Sequence, residues 1–181
     1  MLKYTVDFIY KIRLYLNKIR FTSTKNVNVG RNFKLANYTT FLIHQNSEVN
    51  IGNEVEIRNY FNLVIKSNSK IEIENNVFIN NNCSINCLSS IFIGENTLLG
   101  ENVKIYDHNH KYEAHKIFHK DFTTSPISIG KNCWLGSNVT ILKGVKIGNN
   151  VIIGAGCIIY KNVPDNSIII NKQEYLNLSN N

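Results

Sequence analysis

The sequence predicts an all-β protein built as a parallel solenoid of short strands. Three observations carry this reading: an aliphatic residue recurs every six positions, Gly or Asn sits in the positions beside it, and helical spacing is missing over the same stretch. The clearest run is IGKNCW (129–134), LGSNVT (135–140), ILKGVK (141–146), IGNNVI (147–152), IGAGCI (153–158) and IYKNVP (159–164), six hexads in one phase. A helix would bring apolar residues back at i+3, i+4 and i+7. Short strands joined by bends fit instead, with the first and fifth residues of each hexad facing inward and Gly or Asn turning the chain between them. Three hexads close one triangular coil. Stacked coils then bury a ladder that no single repeat could bury alone.

The elements follow in chain order. TVDFIYKIRLYLNKIRF (5–21) places apolar residues at 6, 8, 9, 12, 14, 16 and 19, with Lys11, Arg13, Lys18 and Arg20 between them. That pattern predicts a basic amphipathic helix within an N-terminal segment 1–26. Two roles are open to it: a cap over the first coil, or a weak anchor on an anionic membrane surface. The solenoid is expected over 27–166. Its earlier hexads are VGRNFK from 29, IGNEVE from 51, IRNYFN from 57, IENNVF from 73, INNNCS from 79, IGENTL from 93 and LGENVK from 99, and the step from Ile51 to Ile73 is 22 residues instead of 18. Cys83, Cys133 and Cys157 fall on fifth positions, where a small inward residue is wanted, so they read as reduced core fillers with no metal role. Cys87 lies off that position, as a small residue in a turn. Residues 167–181 read as a C-terminal tail.

One interruption stands out. After Ile105 the next in-phase hexad would start at 111, yet the pattern resumes only at Ile129, so eighteen residues are inserted. They form an expected protruding loop near 106–127, with its insert at 107–126. The stretch IYDHNHKYEAHKIFH (105–119) holds four of the five histidines of the chain. Insertions in repeat proteins tend to lie on the binding face.

Composition bounds the rest. At 181 residues with 43% apolar and 18% charged content, the chain suits one folded domain and not a disordered one. No apolar run approaches the roughly 20 residues of a spanning helix. The formal charge of +7 suits an anionic ligand, and its cations are not gathered into one tract of the kind a nucleic-acid site would show. The N-terminus lacks a signal-peptide pattern, which points to the cytoplasm, with a peripheral position at the inner membrane face as the variant that the basic helix would allow.

The hexads, the inserted histidines and the CWLGS segment (133–137) together resemble the hexapeptide-repeat acyltransferases, over roughly 27–166. This resemblance implies a left-handed parallel β-helix, an exception to the usual crossover hand. Within the sugar and polysaccharide O-acetyltransferase branch, which the D-H-N-H form of 107–110 resembles, it implies a base at His110, seven residues after Val103 and sixteen before Pro126. His108 and Asp107 are the neighbouring candidates, to share or orient that base. His115 and His119 read as loop or subunit-contact residues. The same resemblance implies acetyl-CoA as co-substrate and acceptor contacts from Asn80 and Trp134. For the oxyanion and the cofactor it implies Gly136, Ser137, Ala155, Tyr160 and Lys161, with Lys143 and Lys172 as further phosphate partners. It also implies a homotrimer with the cleft between subunits.

The chemistry explains the imidazole. A sugar hydroxyl is too weakly acidic to ionise near neutral pH, so its proton must be taken as the oxygen attacks the thioester, and a histidine can take it and return it to the leaving thiolate. The expected activity is therefore acetyl transfer to a sugar hydroxyl, in a capsular or lipopolysaccharide glycan, without an acetyl-enzyme. The pattern departs from the family in one place: SIIINKQEYLN (167–177) has Asn171 where a G-x-P-A turn is common, which bears on binding of the nucleotide end. Three alternatives stay open: an N-acetyltransferase of a nucleotide-linked amino sugar, a γ-class carbonic anhydrase-like protein with zinc held by histidines such as His110 and His115, and a silent scaffold.

Overall fold

The computed structural model describes the backbone of residues 2–172 and the side chains of 11–172. Helix α1 (Leu2–Thr22) precedes a three-faced parallel β-helix. Chain passes from the first face to the second and third and back, so strands neighbouring in sequence lie on different faces and pair with those one coil away. The first face carries six strands, from Val27–Val29 to Lys146–Ile147; the second seven, from Lys34–Leu35 to Ile168–Ile169; the third six, from Thr40–Ile43 to Ile158–Ile159. This is the parallel solenoid expected from the hexads, and the left-handed parallel β-helix that the family resemblance implies.

Each coil turns on a residue with positive φ at the fourth hexad position. Asn96, Asn102, Asn132, Asn138 and Asn150 all lie between φ 55° and 62°, a region that asparagine tolerates better than most residues. Their amides also stack from coil to coil: the Asn132 amide donates to Asn150 at 3.2 Å and the Asn150 amide to Asn166 at 3.0 Å. The repeated Asn thus sets both the turn and its stacking.

The register explains the uneven steps. Val27 pairs with Val49 and Val49 with Ile71, steps of 22, because strands in these coils run to four residues. Later coils keep two-residue strands and a step of 18, as between Ser128 and Lys146. Ile91 pairs with Ile127, which brackets one coil plus the insert.

Inward aliphatics from all faces form one continuous core, with Ile85, Ile91, Ile93, Leu99, Ile105 and Ile129 fully enclosed. The four cysteines are buried free thiols within it. Burial pushes the Cys83 thiol up to about 11 and raises those of Cys87 and Cys133. Fifth-position residues do more than fill space: Cys83 donates to Gly100 O and Cys133 to Gly148 O, both at 3.1 Å, and Thr97 to Gly130 O at 3.0 Å. Cys87 is not a turn residue. It ends the strand Ser84–Cys87, facing inward two places after Ile85, because the strand here is four residues long.

α1 lies over the open first coil. Phe21 is buried against Phe33 and edge-on to Phe41, at ring separations of 5.9 and 5.1 Å, Lys18 donates to Phe33 O at 2.7 Å, and Asn17 donates to Ala36 O at 2.8 Å. The aliphatic ends and unpaired strand groups of that coil are thus covered. At the other end the solenoid passes the expected limit of 166, since Ile168–Ile169 pairs in parallel with Ile152–Ile153. The remainder of the expected tail, 173–181, lies outside the described residues.

The insert is more ordered than a loop. His108–Glu113 and Lys116–Thr124 form an antiparallel hairpin, with a register shift between His110 and Lys111 and a tip at Ala114 and His115, both at positive φ. It springs from the edge between the third and first faces.

Candidate active site

The root of the hairpin is fixed by Asp107. Its side chain is fully buried, and the carboxylate accepts hydrogen bonds from Leu88 N at 2.8 Å and Ser89 N at 2.7 Å, in the coil above. Ser125 N donates to Asp107 O at 2.9 Å and Gly144 N to Ser125 O at 3.2 Å, which closes the arm onto the coil below. Lys143 reaches Thr123 Oγ1 at 2.9 Å and steadies the outgoing strand.

The same carboxylate holds an imidazole. Asp107 Oδ1 lies 3.2 Å from His108 Nδ1, and the His108 side chain is 18% exposed. Its ring stands edge-on to Tyr106 and Phe122, at 6.3 and 5.3 Å. An ionised carboxylate only accepts hydrogen bonds, so Nδ1 carries the hydrogen and the neutral ring presents its lone pair at Nε2. His110 sits two residues further along the same strand. It is exposed, its Nδ1 is 3.3 Å from Phe118 O, and its ring leans on Phe122 at 4.7 Å. Asp107 therefore orients His108 and not His110. His115 is at the hairpin tip and His119 on its exposed outer strand. Among the described residues no group of three His, Cys, Asp or Glu side chains comes together as a metal-ligand set.

A second cluster forms on a different edge, between the second and third faces. A groove of about 220 Å³ is lined by Phe78, Asn80, Leu98, Trp134, Gly136 and Ser137, among others. Trp134 stands on the outer side of the second face, 53% exposed and in register with Leu98 and Ile152. Glu101 crosses the groove: Asn80 donates to Oε1 and Ser137 to Oε2, each at 2.7 Å. The sequence reading did not single out Glu101, and the only signal for it was its place in the hexad LGENVK beside Asn80 and Ser137 of the adjoining coils. Gly136 N already donates to Ile153 O at 2.7 Å, so of the two oxyanion candidates Ser137 N is the one left. A Cβ on Gly136 would lie 2.7 Å from Ala155 N, which explains a glycine between these coils and places Ala155 directly beyond it.

Tyr160 does not join this groove. It lies exposed just after Ile158–Ile159, on the hairpin edge, with the Lys161 ammonium 5.6 Å from its ring centroid. The residues expected to form one site are thus divided between two edges of the same chain: Asp107, His108, His110, Tyr160 and Lys161 on one, Asn80, Trp134, Gly136, Ser137 and Ala155 on the other. Lys172 is exposed beyond the last strand of the second face.

The hydrogen bond from Ser137 first, then one from the backbone of Glu101 itself and last that from Asn80 hold the Glu101 carboxyl below its ordinary value of 4.5. A depressed carboxyl stabilises the arrangement above its unfolded value and loses that contribution as pH falls through the folded one. Trp134 is the chain's only tryptophan and reports on the groove. The part of its fluorescence change that Glu101 causes is expected below pH 4.5, and Glu101→Gln is expected to remove that part.

Comparison with known proteins agrees with this architecture. Residues 126–161 match the family model described as the hexapeptide repeat of succinyl-transferase. Over those residues the chain is similar to a hexapeptide-repeat family. Curated relatives that it resembles include Escherichia coli WbbJ, named for lipopolysaccharide biosynthesis O-acetyl transfer, at 35% identity over 51% of this chain and 52% of that one. The galactoside O-acetyltransferase of the same organism is 37% identical over 50% of this chain and 45% of its own. The chain spans about half the length of these relatives. Among solved structures, a mutant of the N-acyltransferase AntD from Bacillus cereus, in complex with dTDP-4-amino-4,6-dideoxyglucose and coenzyme A, superimposes with a TM-score of 0.72 at 18% identity, covering 87% of this chain and 83% of that one. A hexapeptide-repeat acetyltransferase of Vibrio cholerae complexed with acetyl coenzyme A gives 0.54 at 17% identity, over 90% and 82%.

Proposed function

We propose that this protein transfers an acetyl group from acetyl-CoA to a sugar hydroxyl, with His108 as the general base. The observation that carries the reading is the buried Asp107 carboxylate on His108 Nδ1, which leaves Nε2 as the proton acceptor at the root of a hairpin arm. Nε2 takes the hydroxyl proton as the oxygen attacks the thioester carbonyl; the tetrahedral oxyanion collapses, the C–S bond breaks, and the imidazolium returns the proton to the thiolate. Ser137 N–H is the preorganised donor for the oxyanion. The glycine-floored groove beside Trp134 suits a slender pantetheine chain, and Lys143, Lys161 and Lys172 are partners for the phosphates.

His108 and the Trp134 groove occupy different edges of one chain, so two copies complete the site. A homotrimer, with the hairpin edge of one protomer facing the groove edge of the next, is the arrangement proposed. The relatives named as O-acetyltransferases support a sugar hydroxyl as acceptor, and the lipopolysaccharide name of WbbJ alone supports a surface glycan. A second reading, acyl transfer to the amine of a nucleotide-linked sugar, has its support in the ligands of the AntD complex.

Release of CoA thiol from acetyl-CoA separates the two. Capsular and lipopolysaccharide sugars without amino groups are expected to stimulate release. Stimulation by nucleotide-linked amino sugars alone would establish the second reading, and no stimulation by either would remove both.

A further inference from the structure

Helix α1 carries three stripes where a cap needs one. Successive helical residues turn by about 100°. Leu14, Asn17 and Phe21 therefore share the side that meets the first coil, while Ile12, Tyr15, Leu16 and Ile19 share the opposite side and are exposed. Cations flank this outer apolar stripe on both borders, Lys11 and Lys18 along one and Arg13 and Arg20 along the other. Capping explains the first stripe and the Lys18 contact with Phe33 O, and says nothing of the outer apolar stripe or of the arginine border.

The arginine border opens on a cleft of about 310 Å³ lined by Arg13, Leu16, Asn17, Arg20, Asn37, Tyr38 and Thr39. Both guanidinium groups rest on aromatic rings, Arg13 at 4.9 Å from Tyr38 and Arg20 at 4.5 Å from Phe41, and neither has a carboxylate partner among the described residues. Tyr38 is itself stacked on Tyr60 at 5.0 Å. Asn37 adds an independent sign. In the coils beyond it, Asn81 Oδ1 accepts from Asn59 N and Asn59 Oδ1 from Asn37 N, both at 3.1 Å. Asn37 ends this ladder, where the helix and its cleft replace another coil. Its side chain is fully buried, and neither amide atom has a hydrogen-bond partner among the described residues.

We propose that α1 docks this protein on an anionic phospholipid membrane, the stripe Ile12, Tyr15, Leu16 and Ile19 entering the interface and the Arg13, Arg20 and Asn37 cleft taking a headgroup phosphate. Charge complementarity selects this occupant. An apolar stripe bordered by cations on both sides matches an anionic interface, where long basic side chains reach the headgroups. A second copy of α1 would bring the same cations together. No described helix is long and apolar enough to cross a membrane, so the contact is peripheral.

The test is co-sedimentation of the full chain with vesicles of phosphatidylcholine alone or containing phosphatidylglycerol. It needs no acceptor sugar and stands apart from the proposed acetyl transfer. The expected result is pelleting with phosphatidylglycerol only, weakened by high salt, and weakened roughly tenfold or more in both Arg13→Gln/Arg20→Gln and Ile12→Ser/Leu16→Ser. Circular dichroism and thermal unfolding show whether each variant keeps its fold, and single variants Arg13→Gln and Ile12→Ser serve where a double one does not. Equal pelleting with both vesicles, or variants that bind as well as the parent, would overturn the proposal. So would binding of free inorganic phosphate in the cleft without pelleting, or a lipid-free oligomer that Ile12→Ser/Leu16→Ser dissociates.

Discussion

His108→Ala is expected to lower the turnover of acetyl transfer by at least about a hundredfold, and His110→Ala by about tenfold or less, with the KM for acetyl-CoA little changed in either. The difference follows from what holds each ring. His108 is largely enclosed and its Nδ1 is held by a buried carboxylate, whereas His110 is exposed and faces only the Phe118 carbonyl at 3.3 Å. An oriented ring loses no time in unproductive rotamers and keeps one tautomer. Steady-state rates at saturating acetyl-CoA decide the point, and a larger loss in His110→Ala would move the base to that residue.

Asp107→Ala is expected to be inactive and also less stable by about 3 kcal/mol. Its carboxylate accepts two backbone N–H groups from Leu88 and Ser89 besides meeting His108, and alanine would leave these half-buried donors unbonded. Urea unfolding of the two variants separates the effects. His108→Ala, which removes a partly exposed ring, should keep a midpoint near that of the parent, while Asp107→Ala should lose it. An unchanged midpoint in Asp107→Ala would mean that the Leu88–Ser89 turn does not depend on the carboxylate.

Most of the architecture was legible because one rule repeats. A six-residue period with Asn or Gly in the turn leaves the chain few options, and inward positions such as Ile129, Cys133, Leu135 and Val139 follow from it. Places where the rule weakens were read less well. Four-residue strands in the early coils turned Cys87 inward, a shift that hexad counting does not show. Ile168–Ile169 extended the second face without a preceding hexad in phase.

The site was legible as a set of residues and not as an arrangement. Sequence spacing locates the inserted arm, but whether Asp107 serves a turn or an imidazole depends on the coil above it, 18 and 19 residues away in sequence, and it does both. Spacing places residues one hexad apart on different edges, but it does not show which side chains bridge neighbouring coils. Asn80 and Ser137, far apart in the chain, meet through Glu101, whereas Ser137 and Tyr160 do not meet at all. Glu101 escaped notice because one acidic residue in a repeat of Glu and Asn carries no mark of its own.

The most direct test is to incubate the protein with acetyl-CoA and sugars of surface glycans and to weigh the products by mass spectrometry, with His108→Ala beside it. The expected result is a sugar heavier by one ester-linked acetyl group, formed with an equal amount of free CoA by the parent protein and nearly absent with the variant. Product formed equally well by His108→Ala, or none formed by a folded parent that binds acetyl-CoA, would contradict the account.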